Sequence, residues 1–203
     1  MVILAGGKGE RLGGTIKANL LVGGRILLQR TSEAMAGSAP PLLVAHGNHD
    51  PALLSLGPEH IPIPDLSADY GGPLAGLAAA VAWCLAARPP PDFLASLAVD
   101  TPFFPRDFVA RALAAIGESP AVVARYGSQA YPTNALWRLS KVADLPARVA
   151  AGTAPRSLKR IAEELGASYL DWPQSEAGDP FANANTPDEL EALRARTTLA
   201  ADP

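Results

Sequence analysis

The stretch Leu4-Ala5-Gly6-Gly7-Lys8-Gly9-Glu10-Arg11-Leu12-Gly13-Gly14 decides how this chain is read. A short apolar run over residues 2–5 feeds straight into it, which is the pattern of a first β-strand ending in a glycine loop. Glycine carries no Cβ, so backbone N–H groups in such a loop can converge on an anion. Arg11 and, a little further on, Lys17 add positive charge suited to a chain of phosphates. Two familiar phosphate loops fail against this spelling. Gly9 and Gly14 have P-loop spacing, but Thr15-Ile16 follows where Lys-Ser/Thr is required, and a dinucleotide fingerprint on Gly7 and Gly9 would need glycine at Leu12.

Outward from the loop, short apolar runs alternate with longer helical stretches. Residues 25–36 read as a helix, 42–45 as a second buried strand, and Asp50-Pro51 as the capped start of a short helix. Residues 61–63 give a third strand, 74–87 an alanine-rich buried helix, 93–99 a central strand ending at Asp100, and 105–116 a further helix. Alternation of this kind predicts an α/β fold with a mostly parallel sheet and helices on both faces. In the C-terminal third, residues 121–126 and 131–137 flank Gly127-Ser128 as an antiparallel hairpin inserted into that order. A helix over 155–165 stopped by Gly166, a strand over 167–172, and a helix from Thr186 to about residue 196 complete the pattern. Thr186, Pro187 and Glu189 spell a capping box at its start.

Composition narrows the function classes. The chain has 203 residues, 48% of them apolar, and 20 acidic against 17 basic side chains leave a net charge of −3. At roughly 100–200 residues per domain, one domain over 1–203 is expected, with 197–203 a frayed tail. The charge balance leaves no electrostatic footprint for nucleic acid and no basic face for a membrane surface. The N-terminus has no basic region, and its apolar run is too short for a signal peptide. No run approaches the roughly 18 apolar residues of a membrane span. Cys84 is the one cysteine, so no internal disulfide can form. A soluble, cytoplasmic protein is expected.

Two further clusters carry chemistry. Asp100, in Val99-Asp100-Thr101-Pro102-Phe103, falls where a parallel strand should end, the side of the sheet on which ligands bind. A carboxylate there, opposite a phosphate loop, is placed to hold Mg²⁺, although Asp100 could also cap the turn before Pro102. Asp65 ends a strand in the same way. It opens Asp65-Leu66-Ser67-Ala68-Asp69-Tyr70-Gly71-Gly72-Pro73-Leu74-Ala75-Gly76, whose glycines and proline lead into the N-terminus of the buried helix. His46, His49 and His60 lack metal-ligand spacing and read as ordinary strand-end and loop histidines.

Taken in order, these blocks, with the closing Phe181-Ala182-Asn183-Ala184-Asn185-Thr186-Pro187-Asp188-Glu189-Leu190, resemble the molybdenum cofactor guanylyltransferases, members of the wider Rossmann-like α/β nucleotidyltransferases. The resemblance spans nearly the whole chain. It implies transfer of GMP from GTP to the terminal phosphate of molybdopterin with release of pyrophosphate, with Mg²⁺ as cofactor. Molybdenum-insertion proteins and molybdoenzyme chaperones are the partners it implies. Residues 1–100 would mainly bind the nucleotide and 101–196 the acceptor. By the same resemblance Arg11, Lys17 and Asp100 are the catalytic set, with Asp100 holding the metal. Leu4, Ala5, Gly6, Gly7, Asn48, Asp65, Gly72, Pro73 and Leu74 join Lys17 and Asp100 around the nucleotide, and Asn183 and Asn185 lie toward the acceptor, where either could also reach the metal. The chain departs from the family at Ile16, where Asp is usual before the loop lysine, at His46, where Asn is common, at Val99, and at Arg25 in place of Lys. A cytidylyltransferase or other sugar- or alcohol-phosphate nucleotidyltransferase, and a non-catalytic GTP- or cofactor-binding module, are the competing readings.

Overall fold

A computed structural model of the chain describes residues 1–7, 9, 12–36, 40–66 and 71–199. In chain order the elements are β1 (Val2–Leu4), β2 (Leu21–Val22), β3 (Arg25–Ile26), α1 (Leu27–Ala34), β4 (Leu42–Ala45), β5 (His60–Ile63), α2 (Pro73–Ala86), β6 (Phe93–Ala98), α3 (Phe108–Ala115), β7 (Ala121–Tyr126), β8 (Gln129–Arg138), α4 (Leu145–Ala150), α5 (Leu158–Leu165), β9 (Ser168–Trp172) and α6 (Pro187–Leu199). Seven strands form one sheet in the order β5-β4-β1-β6-β8-β7-β9, and β2 pairs with β3 in a separate small antiparallel sheet. Within the large sheet β8 alone runs against the others. The expected hairpin on Gly127-Ser128 forms, and its strands are built into the sheet rather than added beside it.

Two-residue alternation along the strands sends side chains to two apolar layers. Val2 and Leu4 of β1, with Leu43 and Ala45 of β4 and Val123 of β7, pack under α2, α4 and α5. Ile3, Leu42 and Val44 face α1, while Ala95, Leu97, Val122 and Leu136 face α3 and Phe181. Helices therefore cover both faces. α2 buries nine of its fourteen residues, four of them alanine and one glycine, because it lies flat on the centre of the sheet and small side chains let it approach closely. Among the described residues no helix is long and apolar enough to cross a membrane.

Several boundaries differ from the sequence reading. The helix expected over 25–36 starts at Leu27, because Arg25 and Ile26 pair with Val22 and Leu21 across Gly23-Gly24. Asp50 does cap the next turn, accepting from Ala52 N at 2.9 Å, but the turn is a 3₁₀ helix, Pro51–Leu53. α4 was not anticipated. The final helix continues past residue 196 to Leu199, and Thr197 Oγ1 donates to Arg194 O at 2.6 Å inside the expected tail. Residues 200–203 lie outside those described.

Candidate active site

Chain order explains where the site lies. From β1 the chain steps outward to β4 and β5, then returns to place β6 on the opposite side of β1. The segments leaving the carboxyl ends of β1 and β6 therefore diverge, and a crevice opens at that switch point. A cleft of about 280 Å³ occupies it, lined by Leu4, Gly6, Gly7, Lys17, Ala45, Asp65, Gly72, Pro73, Gly76, Ala98, Val99, Asp100, Thr133, Asn183 and Asn185.

Asp100 is held there by a dense set of bonds just before it. Asn134 Oδ1 accepts from Ala98 N at 2.8 Å, and Thr101 Oγ1 donates to Ala98 O at 2.7 Å. Val99 N donates to Leu4 O at 3.3 Å, and Val99 O accepts from Thr31 Oγ1 at 3.1 Å. Such pinning is what a preorganised charged group requires. Lys17 opens a 3₁₀ turn, Lys17–Asn19, after the glycine loop, and its Nζ donates to Asp100 Oδ2 and to Asn185 Oδ1, each at 2.6 Å. The Lys17 and Asp100 side chains are only 14% and 10% exposed, so this is an ion pair largely out of water.

Asn185 is positioned by the capping box. Glu189 Oε2 accepts from Asn185 N at 2.7 Å and Thr186 N at 3.0 Å, while Glu189 N donates to Thr186 Oγ1 at 3.2 Å. In the Phe181–Asn185 segment Phe181 and Ala184 are buried, and Asn183 and Asn185 are turned toward the cleft. Phe181 sits edge-on to Phe104, Phe108 and Trp172, which fixes the segment from behind. Arg196 of α6 adds a tie, donating to Asp179 O at 2.5 Å and stacking on Phe103 at 4.0 Å.

On the other wall Gly72 caps α2 with φ +84°, a conformation that suits glycine, and Pro73 takes the first helical position. Asp65, two residues beyond β5, is half-buried. Burial pushes its carboxyl up to about 6, against the downward pull of His46 and His49.

The structure thus brings Leu4, Gly6, Gly7, Lys17, Asp65, Gly72, Pro73, Asp100, Asn183 and Asn185 to one cleft, and it leaves out others. Ala5 is fully buried in the layer beneath the loop, Leu74 is buried against the sheet, and Asn48 is exposed and off the lining. Ala5 and Leu74 are apolar residues at a strand end and a helix start, so packing claims them. Arg11 lies outside the described residues. Gly6 also changes meaning: a Cβ there would meet Gly47 Cα at 2.9 Å, whereas at Gly7 the nearest atom is Lys17 Cδ at 3.5 Å. Gly6 is required first for close approach of two backbones, and Gly7 is the position where an added side chain probes the cleft. Of the family departures, Ile16 packs onto the α1 layer and His46 is buried with its Nδ1 at 2.7 Å from His49 O. Neither lines the cleft.

Thr133 was missed. Pro132, Thr133 and Asn134 bulge from the β7–β8 ladder between the pairs Val123–Ala135 and Ala124–Tyr131, and that irregularity turns Thr133 into the cleft. A proline inside a strand-like run was the one signal available. Elsewhere, His60 and Ser32 make a Ser–His contact of 2.7 Å that has no nucleophilic use. His60 Nδ1 accepts from Gly57 N at 2.7 Å, so the proton of the neutral ring sits on Nε2 and is donated to Ser32.

Among the described residues no group of three or more His, Cys, Asp or Glu could hold a metal unaided. Asp100 nevertheless suits Mg²⁺, which is commonly bound through one or two carboxylates with substrate phosphates completing its shell. The Asp100 oxygen already sits against a positive charge at 2.6 Å.

Residues 1–169 match the MobA-like NTP transferase domain. The chain is 36% identical over 202 residues to the molybdenum cofactor guanylyltransferase of Cereibacter sphaeroides, covering 99% of this chain and 97% of that one. Molybdopterin-guanine dinucleotide biosynthesis protein A from Archaeoglobus fulgidus shares the fold with a TM-score of 0.73 at 22% identity, covering 98% of each chain. So does 2-C-methyl-D-erythritol 4-phosphate cytidylyltransferase from Thermus thermophilus, with a TM-score of 0.69 at 20% identity and 97% of each chain covered. A family match over most of the chain and a relative at this identity along nearly its whole length settle the kinship: the chain belongs to the MobA-like NTP transferase family.

Proposed function

We propose that the chain is a guanylyltransferase that transfers GMP from GTP to the terminal phosphate of molybdopterin. An acceptor phosphate oxygen attacks the α-phosphorus, a new P–O bond forms, and the bond to the β-phosphate oxygen breaks to release pyrophosphate. The observation that carries this reading is the meeting of Lys17, Asp100 and Asn185, from three distant segments, in the cleft between the β1 and β6 loops. Phosphoryl chemistry of this kind asks for alignment and charge neutralisation rather than a protein nucleophile.

In this reading Lys17, with Arg11, neutralises the triphosphate, and Asp65 lies on the nucleotide side. Asn183 and Asn185 hold the acceptor. Nucleotidyl transfer in this family generally uses a divalent metal; Mg²⁺ at Asp100 would supply Lewis-acid polarisation of the phosphate oxygens. The compartment proposed is the cytoplasm, and molybdenum-insertion proteins and molybdoenzyme chaperones are the proposed recipients of the product.

Calorimetric titration with GTP, CTP, ATP and UTP, each with Mg²⁺, tests the choice of base. GTP should bind at least about tenfold tighter than CTP, roughly 1.4 kcal/mol. A site built to pair the guanine edge leaves polar groups unsatisfied with cytosine. Equal affinities would remove the guanylyl assignment, and a preference for CTP would favour the cytidylyl reading.

A further inference from the structure

The Lys17 ammonium occupies the same carboxylate that a metal would use. Asp100 Oδ2 is 2.6 Å from Lys17 Nζ, both side chains are nearly buried, and a second Lys17 donor is committed to Asn185 Oδ1 at 2.6 Å. A carboxylate this far from water retains a counter-charge, and a second cation brought beside the ammonium meets repulsion with little solvent to screen it. The Lys17 charge rides on a flexible four-carbon stem, and that stem runs alongside the glycine loop, with Cδ 3.5 Å from where a Gly7 Cβ would stand. Phosphates seated on that loop would lie within a short swing of the ammonium.

We propose that Lys17 is an interlock on the metal site: its ammonium and a divalent cation compete for Asp100, and the cation gains full access only when nucleotide phosphates draw Lys17 away. The inference rests on the cleft being the nucleotide site and concerns how that site is regulated. The same swing releases Asn185, so nucleotide binding would also free a group on the acceptor side. Metal, nucleotide and acceptor sites are thereby coupled through one side chain. A free divalent ion would not load the enzyme ahead of its substrate.

The test uses Mn²⁺ alone, without nucleotide or acceptor, followed by the electron paramagnetic resonance signal of the free ion. Lys17→Met should bind Mn²⁺ at least tenfold tighter than the wild-type chain. Lys17→Arg, which keeps the charge, should bind it as weakly as wild type. Adding Asp100→Asn to Lys17→Met should abolish the gain. Mn²⁺ should also raise the melting temperature of Lys17→Met and leave that of wild type unchanged, because the ion replaces the missing charge. Lys17→Gln, which keeps a donor for Asn185, serves if Lys17→Met folds poorly. Equal Mn²⁺ affinity in wild type and both neutral variants would overturn the proposal. So would a gain that survives Asp100→Asn, since the ion would then sit elsewhere in the cleft, at Asp65. Because no substrate is present, failure here leaves pyrophosphate release from GTP as a separate test of the transferase reading.

Discussion

Asp65 and Asp100 are two carboxylates of one cleft in opposite circumstances. Asp100 has an ammonium at 2.6 Å, whereas burial has pushed Asp65 up to about 6 from an ordinary 3.8. The folded state therefore holds the Asp65 proton more tightly than the unfolded chain does. Its contribution to stability is favourable below about pH 4, diminishes as the pH rises through 6, and leaves an ionised, poorly solvated carboxylate at neutral pH. Asp65→Asn should accordingly raise the urea midpoint at pH 7.5 and leave it close to wild type at pH 4. A variant less stable than wild type at pH 7.5 would show that Asp65 has a stabilising partner. The types of these residues were readable from the sequence, since each follows an apolar run that ends on Asp. Their circumstances were not, because burial and the Lys17 contact depend on chain brought from 83 residues away.

At the scale of elements, α2 carries a glycine that lines the cleft and is also demanded by packing. Gly76 stands in its first turn, and a Cβ there would come within 2.9 Å of Ala45 Cβ and 3.1 Å of Leu4 Cδ2. Helix propensity alone favours alanine by about 1 kcal/mol. Overpacking against the ends of β1 and β4 costs about 1–3 kcal/mol, so packing wins. Gly76→Ala should lower the melting temperature by roughly 2–4 °C, the shift expected for about 1 kcal/mol in a chain of this size. An unchanged or higher value in calorimetry would mean that the strands yield. Elements with strong local signals were legible, among them the first strand and its glycine loop, the alanine-rich helix, and the Thr186–Glu189 capping box. The β2–β3 hairpin escaped because strands of two residues show no alternation, and only Gly23-Gly24 marks the turn. α4, six residues long and opening on Leu145-Pro146, offers no complete helical period pair to read.

The whole molecule is organised by the position of β6 beside β1. That topology, more than any motif, turns a glycine loop, a strand-end aspartate and a C-terminal asparagine 168 residues from Lys17 into one cleft. The α/β order could be read from alternating runs, yet contact between Lys17, Asp100 and Asn185 has no signature in spacing. The resemblance of the motifs to a known family names all three as site residues without implying that they touch. Thr133 stayed hidden because it reaches the cleft through a bulge, a departure from the regular strand that a sequence reading assumes. Transfer of GMP to a molybdopterin phosphate in this cleft can be followed as pyrophosphate released from GTP in the presence and absence of molybdopterin. A guanylyltransferase should release one pyrophosphate per molybdopterin consumed and none without the acceptor, with a kcat/KM for GTP at least about tenfold above that for CTP. Release from GTP that ignores molybdopterin, or turnover as fast with CTP, would contradict the guanylyltransferase reading.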